Sequence, residues 1–271
     1  MNRWIAQLLI WIVVFTSVCP FKARAQTEPD PPPQAPPQVV VPILMYHHIG
    51  GRADRYHVTQ EMFECQMDYL GQNGFTAVSI DQIAIALKGG PALSPKPIAI
   101  TFDDGWRRQF TATLPALTRN NLRATFFIIS SHAERYSGFM SFDLLRQIRD
   151  AGMWIGSHTV SHAHLPGLSA KRLWYELRAS RDVLEAALEQ PVTILAYPGG
   201  AYNERVMRAA AQAGYVAAVA IGGQAEQHSS HLYALQRIEV NGSWSKEDFI
   251  AVVEKPFAQA RSPIPSAEPA P

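Results

Sequence analysis

Short apolar runs alternate with helix-like segments along most of the chain, and this alternation constrains the fold more than any other feature of the sequence. The runs are rich in Val, Ile and Phe, a composition typical of buried strands. The clearest helix-like segment spans residues 169–189, with apolar residues near helical spacing and Ser169 as a plausible N-cap. The predicted strands are 40–46, 76–80, 98–102, 124–129, 154–157, 193–197, 215–221 and 235–240.

Three helix-like segments end in the same way. Gly74, Gly152 and Gly214 each stand where a helix would end in a left-handed residue, and a predicted strand follows each of them. Strands that alternate with helices through short connections favour a parallel α/β sheet or barrel. Because seven or eight such units recur within one domain, we predict a closed barrel rather than an open sheet. Functional residues are then expected at the carboxyl ends of the strands.

The two ends of the chain depart from this pattern. An uncharged apolar run near the N-terminus is followed by Ala23-Arg24-Ala25, which is typical of a secretory signal peptide. An uncleaved membrane anchor is the alternative, although the run is short for a spanning helix. The predicted organisation is a signal peptide at 1–25, a Pro-rich disordered linker at 26–42, a folded domain at 43–255 and a Pro-rich disordered tail at 256–271.

The charge of the chain is nearly balanced, at +1. Removal of residues 1–25 takes away three basic and no acidic residues, so the remainder carries −2. This balance argues against a nucleic-acid-binding protein, which needs a basic face. The chain has only two cysteines, so it is neither a disulfide scaffold nor a Cys-rich zinc module.

Carboxylates and imidazoles follow two of the predicted strands. Asp103 and Asp104 come directly after strand 98–102, where a solvated turn is the alternative interpretation. His158 and His162 follow strand 154–157 and lie on one face if that segment coils. Two adjacent carboxylates at a buried strand end need a positive partner. A metal ion bound by one Asp and two His, with open positions for water and substrate, would provide it.

Two further segments also follow strands. Gly199 and Gly200 allow a ligand to approach backbone N–H groups closely, although an ordinary strand-to-helix turn would have the same sequence. His47 and His48 follow the first predicted strand, where either side chain can face the mouth of a barrel or serve a structural role.

These motifs together resemble the polysaccharide deacetylases, also called NodB-homology or carbohydrate esterase family 4 proteins. The resemblance covers roughly residues 40–250: residues 101–105 match the T-F-D-D motif, and residues 158–162 match the H-S/T-x-x-H motif. It implies a distorted (β/α)7-type barrel with a single catalytic domain. It also implies Asp103 as the general base and Asp104, His158 and His162 as ligands of a divalent metal, most simply Zn²⁺.

The third motif of the family, R-x-P-Y/F, is altered in this chain. Ala196 stands at the position of the arginine and Gly199 at that of the aromatic residue. Residues 45–49 and 196–200 instead resemble the exported poly-N-acetylglucosamine deacetylases. By that resemblance His47 is the general acid, with His48 as the alternative. The resemblance further implies that Tyr197, Pro198 and Gly199 contact substrate or oxyanion, while Arg237 either replaces the missing arginine or forms a surface ion pair.

The function implied is metal-dependent hydrolysis of N-acetyl groups on a polysaccharide that contains N-acetylglucosamine, with release of acetate. We expect an exported monomer in the periplasm, cell envelope or extracellular space, with a membrane as partner only if the N-terminal segment stays uncleaved. A catalytically silent glycan-binding relative and a deacetylase of a small-molecule amide are the alternatives.

Overall fold

The structure is a computed structural model that describes residues 37–260. Its strands are β1 Gln38–Val40, β2 Ile43–Tyr46, β3 His48–Ile49, β4 His57–Val58, β5 Thr76–Ala77, β6 Pro97–Phe102, β7 Thr125–Ile128, β8 Trp154–Ser157, β9 Ile194–Ala196, β10 Ala217–Ile221, β11 Glu226–His228 and β12 Leu235–Glu239. Its helices are α1 Gln60–Gln72, α2 Ile80–Leu87, α3 Arg107–Arg119, α4 Phe142–Asp150, α5 Ala170–Leu188, α6 Glu204–Gln212 and α7 Lys246–Ala260.

Seven parallel strands close into a barrel. They are joined in the order β2–β6–β7–β8–β9–β10–β12, and β12 pairs back with β2. An α-helix follows each barrel strand except β10, and the predicted (β/α)7-type barrel with a single domain is confirmed. The predicted strand 76–80 is not part of the barrel and is shorter than expected. Only Thr76–Ala77 pairs, with Pro97 and Ile98 at the start of β6, because Ser79 forms a capping box with Gln82 and caps α2.

Side chains of the barrel strands alternate between one inner apolar cluster and outer clusters beneath the helices. Along β6, Ala99 belongs to the inner cluster, whereas Ile98 and Ile100 belong to an outer one. The four buried residues of α2 join the same inner cluster as Ala99, so this helix packs with the inward side chains of the strands. The inward phase of each strand therefore determines which residue emerges into the mouth of the barrel.

The folded part extends beyond the predicted range 43–255 at both ends. Gln38–Val40 pairs antiparallel with β11, and the Val41 N–H donates to the Ala225 carbonyl, so the last residues of the predicted disordered linker are ordered. Helix α7 continues to Ala260 with Pro256 inside it, five residues beyond the predicted end. The signal peptide at 1–25, most of the linker and the tail from 261 lie outside the described residues. Among residues 37–260, no helix combines the length and apolarity needed to cross a bilayer.

Candidate active site

The inward phase of four strands brings the predicted site residues together. His47 follows Ile43 and Met45 on β2, Asp103 follows Ala99 and Thr101 on β6, and both emerge inside the barrel mouth. His158 emerges after β8 in the same way. The four elements that contribute are β2, β6, β8 and β12.

Arg237 lies on β12, in phase with the inward residue Leu235, and faces Asp103. Its Nη1 and Nη2 donate to Oδ1 and Oδ2 of Asp103 at 2.6 and 2.7 Å. Only 2% of Asp103 and 1% of Arg237 is exposed, so the surface ion pair considered for Arg237 is wrong. Burial alone would raise the pKa of Asp103. The charges of Arg237 and then His158 outweigh burial and hold this pKa well below its usual range. Asp103 is therefore an ionised acceptor at neutral pH.

Asp104, His158 and His162 form a possible metal site. One ligand atom from each residue lies within 4.8 Å of the others, and Oδ1 of Asp104 is 3.7 Å from Nε2 of each histidine. The Nδ1 of His158 lies 2.8 Å from the Ala196 carbonyl, which can only accept. Nδ1 therefore carries the proton, and the lone pair of Nε2 faces Asp104.

The backbone at these donors is strained. Asp104 has φ 73°, His162 has φ 57° and Thr159 between the histidines has φ 67°, all in the left-handed region. Each such residue costs about 1–3 kcal/mol and persists only where its surroundings hold it. Trp106 Nε1 donates to Oδ2 of Asp104 at 2.9 Å, and the His162 N–H donates to Oγ1 of Thr159 at 3.1 Å. These contacts keep one carboxylate oxygen and two imidazoles converging on one point. Such a set fits a zinc-like ion with open positions.

Glu176 of α5 clamps the segment that carries both histidines. Its carboxylate is fully buried and accepts from the Ser161 N–H at 2.9 Å, the Ser161 hydroxyl at 2.7 Å and Arg172 at 2.6 Å. The backbone carbonyl of Glu176 also accepts a hydrogen bond from the Val160 N–H. The loop between His158 and His162 is thereby fixed to a long helix, which preorganises the two imidazoles.

Replacing Glu176 by Gln is expected to weaken zinc binding by about 10–100-fold, the usual cost of losing a residue that supports metal ligands. The amide keeps the shape of the side chain but loses the charge that holds Arg172. A competition titration with a zinc chelator measures the Kd. Glu185→Gln is the matched control, because Glu185 lies on the same helix and bonds to Arg181 and the Val192 N–H, away from the loop. Equal zinc affinity in Glu176→Gln and wild type would contradict the clamp.

A cleft of about 490 Å³ opens above these residues. Gly199, with φ 60°, lies in its wall, as the sequence predicted. Tyr197 does not line the cleft: it follows the inward residue Ala196, so its side chain enters the outer core and its hydroxyl donates to the Tyr233 carbonyl at 2.8 Å. Pro198 is also buried and outside the lining. Other lining residues are Met45, Arg55, Tyr56, His57, Gly200, Ile221 and Glu239.

His47 and His48 both line the cleft but have different surroundings. The ring of His48 stacks on that of His57 at 4.3 Å and packs against Trp106 at 4.6 Å. Burial and then the neighbouring charge of His57 lower the pKa of His48. Among the described residues, the ring of His47 contacts one aromatic ring, that of Tyr56, and meets it edge-on at 5.4 Å. His47 is therefore the less stacked of the two imidazoles in the cleft.

Several residues of the site were missed from the sequence. Glu239 could have been found, since it shares the inward phase of Leu235 and Arg237 on β12, and Arg55 donates to it at 2.8 Å. Trp106 could have been found from its place directly after the Asp103-Asp104-Gly105 turn, since its N–H donates to Asp104. Nothing in the sequence around Glu176 indicates its role, because its contacts depend on how α5 packs.

The chain is similar in sequence to several known proteins. A family model described as polysaccharide deacetylase matches residues 90–218. YxkH of Bacillus subtilis strain 168, assigned to the polysaccharide deacetylases, is 30% identical over 214 residues, which are 79% of this chain and 76% of YxkH. A peptidoglycan-N-acetylglucosamine deacetylase of Bacillus cereus is 32% identical over 121 residues, covering 44% of this chain and 54% of that enzyme.

A solved structure of a deacetylase is similar to this chain in both fold and sequence. Streptococcus pyogenes deacetylase PplD, solved in complex with acetate, superposes with a TM-score of 0.73 and 25% identity. The match covers 80% of this chain and 99% of PplD. The extent and identity of the match to YxkH, together with the family model and this fold, show that the chain belongs to the polysaccharide deacetylase family of hydrolases.

Proposed function

We propose that the protein hydrolyses N-acetyl groups of an N-acetylglucosamine-containing polysaccharide and releases acetate, with a divalent ion, zinc, held by Asp104, His158 and His162. The observation that carries this proposal is the buried Asp103–Arg237 pair beside that donor set, at the mouth of the family's barrel. The absence of the usual third-motif arginine, where Ala196 stands instead, is the reason to consider a silent glycan-binding relative. Arg237 supports activity, because it supplies Asp103 with a guanidinium partner from another strand.

Asp103 accepts the proton of the attacking water. Arg237 engages both carboxylate oxygens, so it fixes the orientation of Asp103 and keeps it ionised. A bound zinc ion supplies Lewis-acid polarisation of the acetamide carbonyl and a lower pKa of water. The backbone of Gly199 lies in the cleft wall, where its N–H can stabilise negative charge that develops on the carbonyl oxygen.

His47 donates a proton to the departing amine. An amide nitrogen leaves poorly as an anion, so a positioned acid is needed to complete cleavage. The position of His47 in the cleft, on the strand next to that of Asp103, supports this role.

His47→Gln is expected to lower kcat for acetate release from N-acetylglucosamine oligomers by about 10²–10⁴-fold, the contribution of a general acid. Hydrolysis of p-nitrophenyl acetate should fall far less, because the nitrophenolate leaves without protonation. Both rates are measured on one zinc-loaded preparation, with His48→Gln as the matched control. Parallel losses on amide and ester, or a larger amide loss in His48→Gln, would contradict His47 as the acid.

The proposed function leaves one question, which polysaccharide is the substrate. The Bacillus cereus relative acts on peptidoglycan by name, and the resemblance of residues 45–49 and 196–200 points to poly-N-acetylglucosamine. We propose an exported enzyme, as the N-terminal segment predicts. The test is acetate release from poly-β-1,6-N-acetylglucosamine, chitin oligomers and peptidoglycan, assayed side by side with zinc controlled. We expect release from at least one. Glycan binding without release from any would favour the silent relative.

A further inference from the structure

The first turn of α3 contains a buried amide that touches both strand ends of the proposed acid and base. Gln109 is fully buried, and its Nε2 donates to the His47 carbonyl and to the Asp103 carbonyl, each at 2.7 Å. Because both acceptors are carbonyls, both protons of this NH₂ group are used. The amide is therefore a bridge between the backbones of two residues with proposed catalytic roles.

This bridge stands where the sheet ends. Strands β2 and β6 are in register as far as Tyr46 and Phe102, and the Asp103 N–H donates to the Tyr46 carbonyl at 3.0 Å. After this hydrogen bond, backbone pairing between β2 and β6 ends. At the next residues, His47 and Asp103, the side chain of Gln109 bridges the two backbones and so sets the spacing between them.

A neighbouring contact holds the same segment. Nε of Arg108 donates to the Ile49 carbonyl at 2.9 Å, and its guanidinium lies over Gly50, where an added Cβ would come within 2.4 Å of it. Gly50 has φ 95°, which only glycine adopts easily. The first turn of α3 thus binds the backbone from His47 to Gly50 at two successive points.

Filling space does not by itself explain Gln109. Its Oε1 has no hydrogen-bond partner among the described residues, although it is buried. An apolar side chain of the same size would leave the His47 and Asp103 carbonyls without this donor. The feature that an apolar side chain lacks is the pair of donors to His47 and Asp103.

We propose that Gln109 is a positioning residue that fixes the proposed acid His47 relative to the proposed base Asp103. The inference rests on the proposed function, since it gives a catalytic meaning to the spacing of these two residues. Gln109 itself does not touch the reacting atoms and acts through the backbones of the two residues it joins.

The test compares Gln109→Met with Gln66→Met. Methionine keeps the length of the side chain and removes both donors. Gln66 is a matched control because it is also buried, on α1, and among the described residues its side chain has one hydrogen bond, which its Oε1 accepts from the Tyr46 hydroxyl. For each zinc-loaded variant, kcat and KM for acetate release, zinc content, Tm and hydrogen exchange of the amides of residues 48–50 are measured.

In Gln109→Met, kcat should fall on the order of 10–100-fold, since small displacements of catalytic groups cost that much. KM and zinc content should stay near wild type, and amides 48–50 should exchange about tenfold faster. Gln66→Met should keep kcat even if its Tm falls as far. Unchanged kcat, unchanged exchange, or an equal kcat loss in both variants would overturn the inference while leaving the proposed function intact. A wild type that releases no acetate would overturn the proposed function, and this inference with it.

Discussion

Asp103→Asn is expected to lower kcat for acetate release by about 10²–10⁴-fold, the contribution of a general base. The amide has the same shape as the carboxylate but has no lone pair basic enough to take a proton from water. Zinc content should stay at the wild-type level, because the possible metal site uses Asp104, His158 and His162 instead. The measurement is acetate release by the zinc-loaded variant, with bound zinc determined on the same sample.

The same substitution also affects stability. Arg237 keeps its charge with only 1% of its surface exposed, and removing one partner of a buried ion pair typically costs about 3–5 kcal/mol. The assay is therefore run well below the Tm of the variant. Asp104→Asn is the comparison, because it should lose zinc affinity together with activity. Full turnover by Asp103→Asn would show that another residue is the base, and parallel loss of zinc would place Asp103 among the ligands.

His158→Gln is expected to weaken zinc binding by more than about 100-fold, beyond the cost of losing a supporting partner. His158 is buried, its proton is fixed on Nδ1 by the Ala196 carbonyl, and its Nε2 faces Asp104. Glutamine can fill the space but supplies no imidazole nitrogen. Activity at limiting zinc should fall with occupancy and return in part when zinc is raised.

The control for this variant is His164→Gln, because His164 is an exposed histidine close to the same loop and outside the possible metal site. It should bind zinc and release acetate as the wild type does. Wild-type zinc affinity in His158→Gln, or an equal loss in His164→Gln, would contradict the three-residue site.

The barrel was predictable because its signals are local. Strand 154–157 has the predicted bounds, and Gly74, Gly152 and Gly214 all have positive φ at helix exits, as expected. The ends of the domain were harder, since β1 forms only through pairing with β11, nearly 190 residues away. A Pro-rich composition does not reveal such a partner.

The site was predictable where a motif or a strand phase carries it. Asp103, Asp104, His158 and His162 follow from motifs, and their convergence is seen in the structure. The alternation of Leu195, Ala196 and Tyr197 could have shown that Tyr197 faces outward. Glu176 and Gln109 could not be found in this way, because each acts through contacts between elements that only the packing brings together.

The central claim is a one-metal deacetylase, and titration of the metal-free protein with zinc tests it most directly. Acetate released from N-acetylglucosamine oligomers is followed as zinc is added. We predict no release without metal, a linear rise, and a plateau at one zinc ion per chain, as one Asp-His-His site requires. Full acetate release by the metal-free protein, or none at any zinc ratio on any of the three polymers, would contradict the claim.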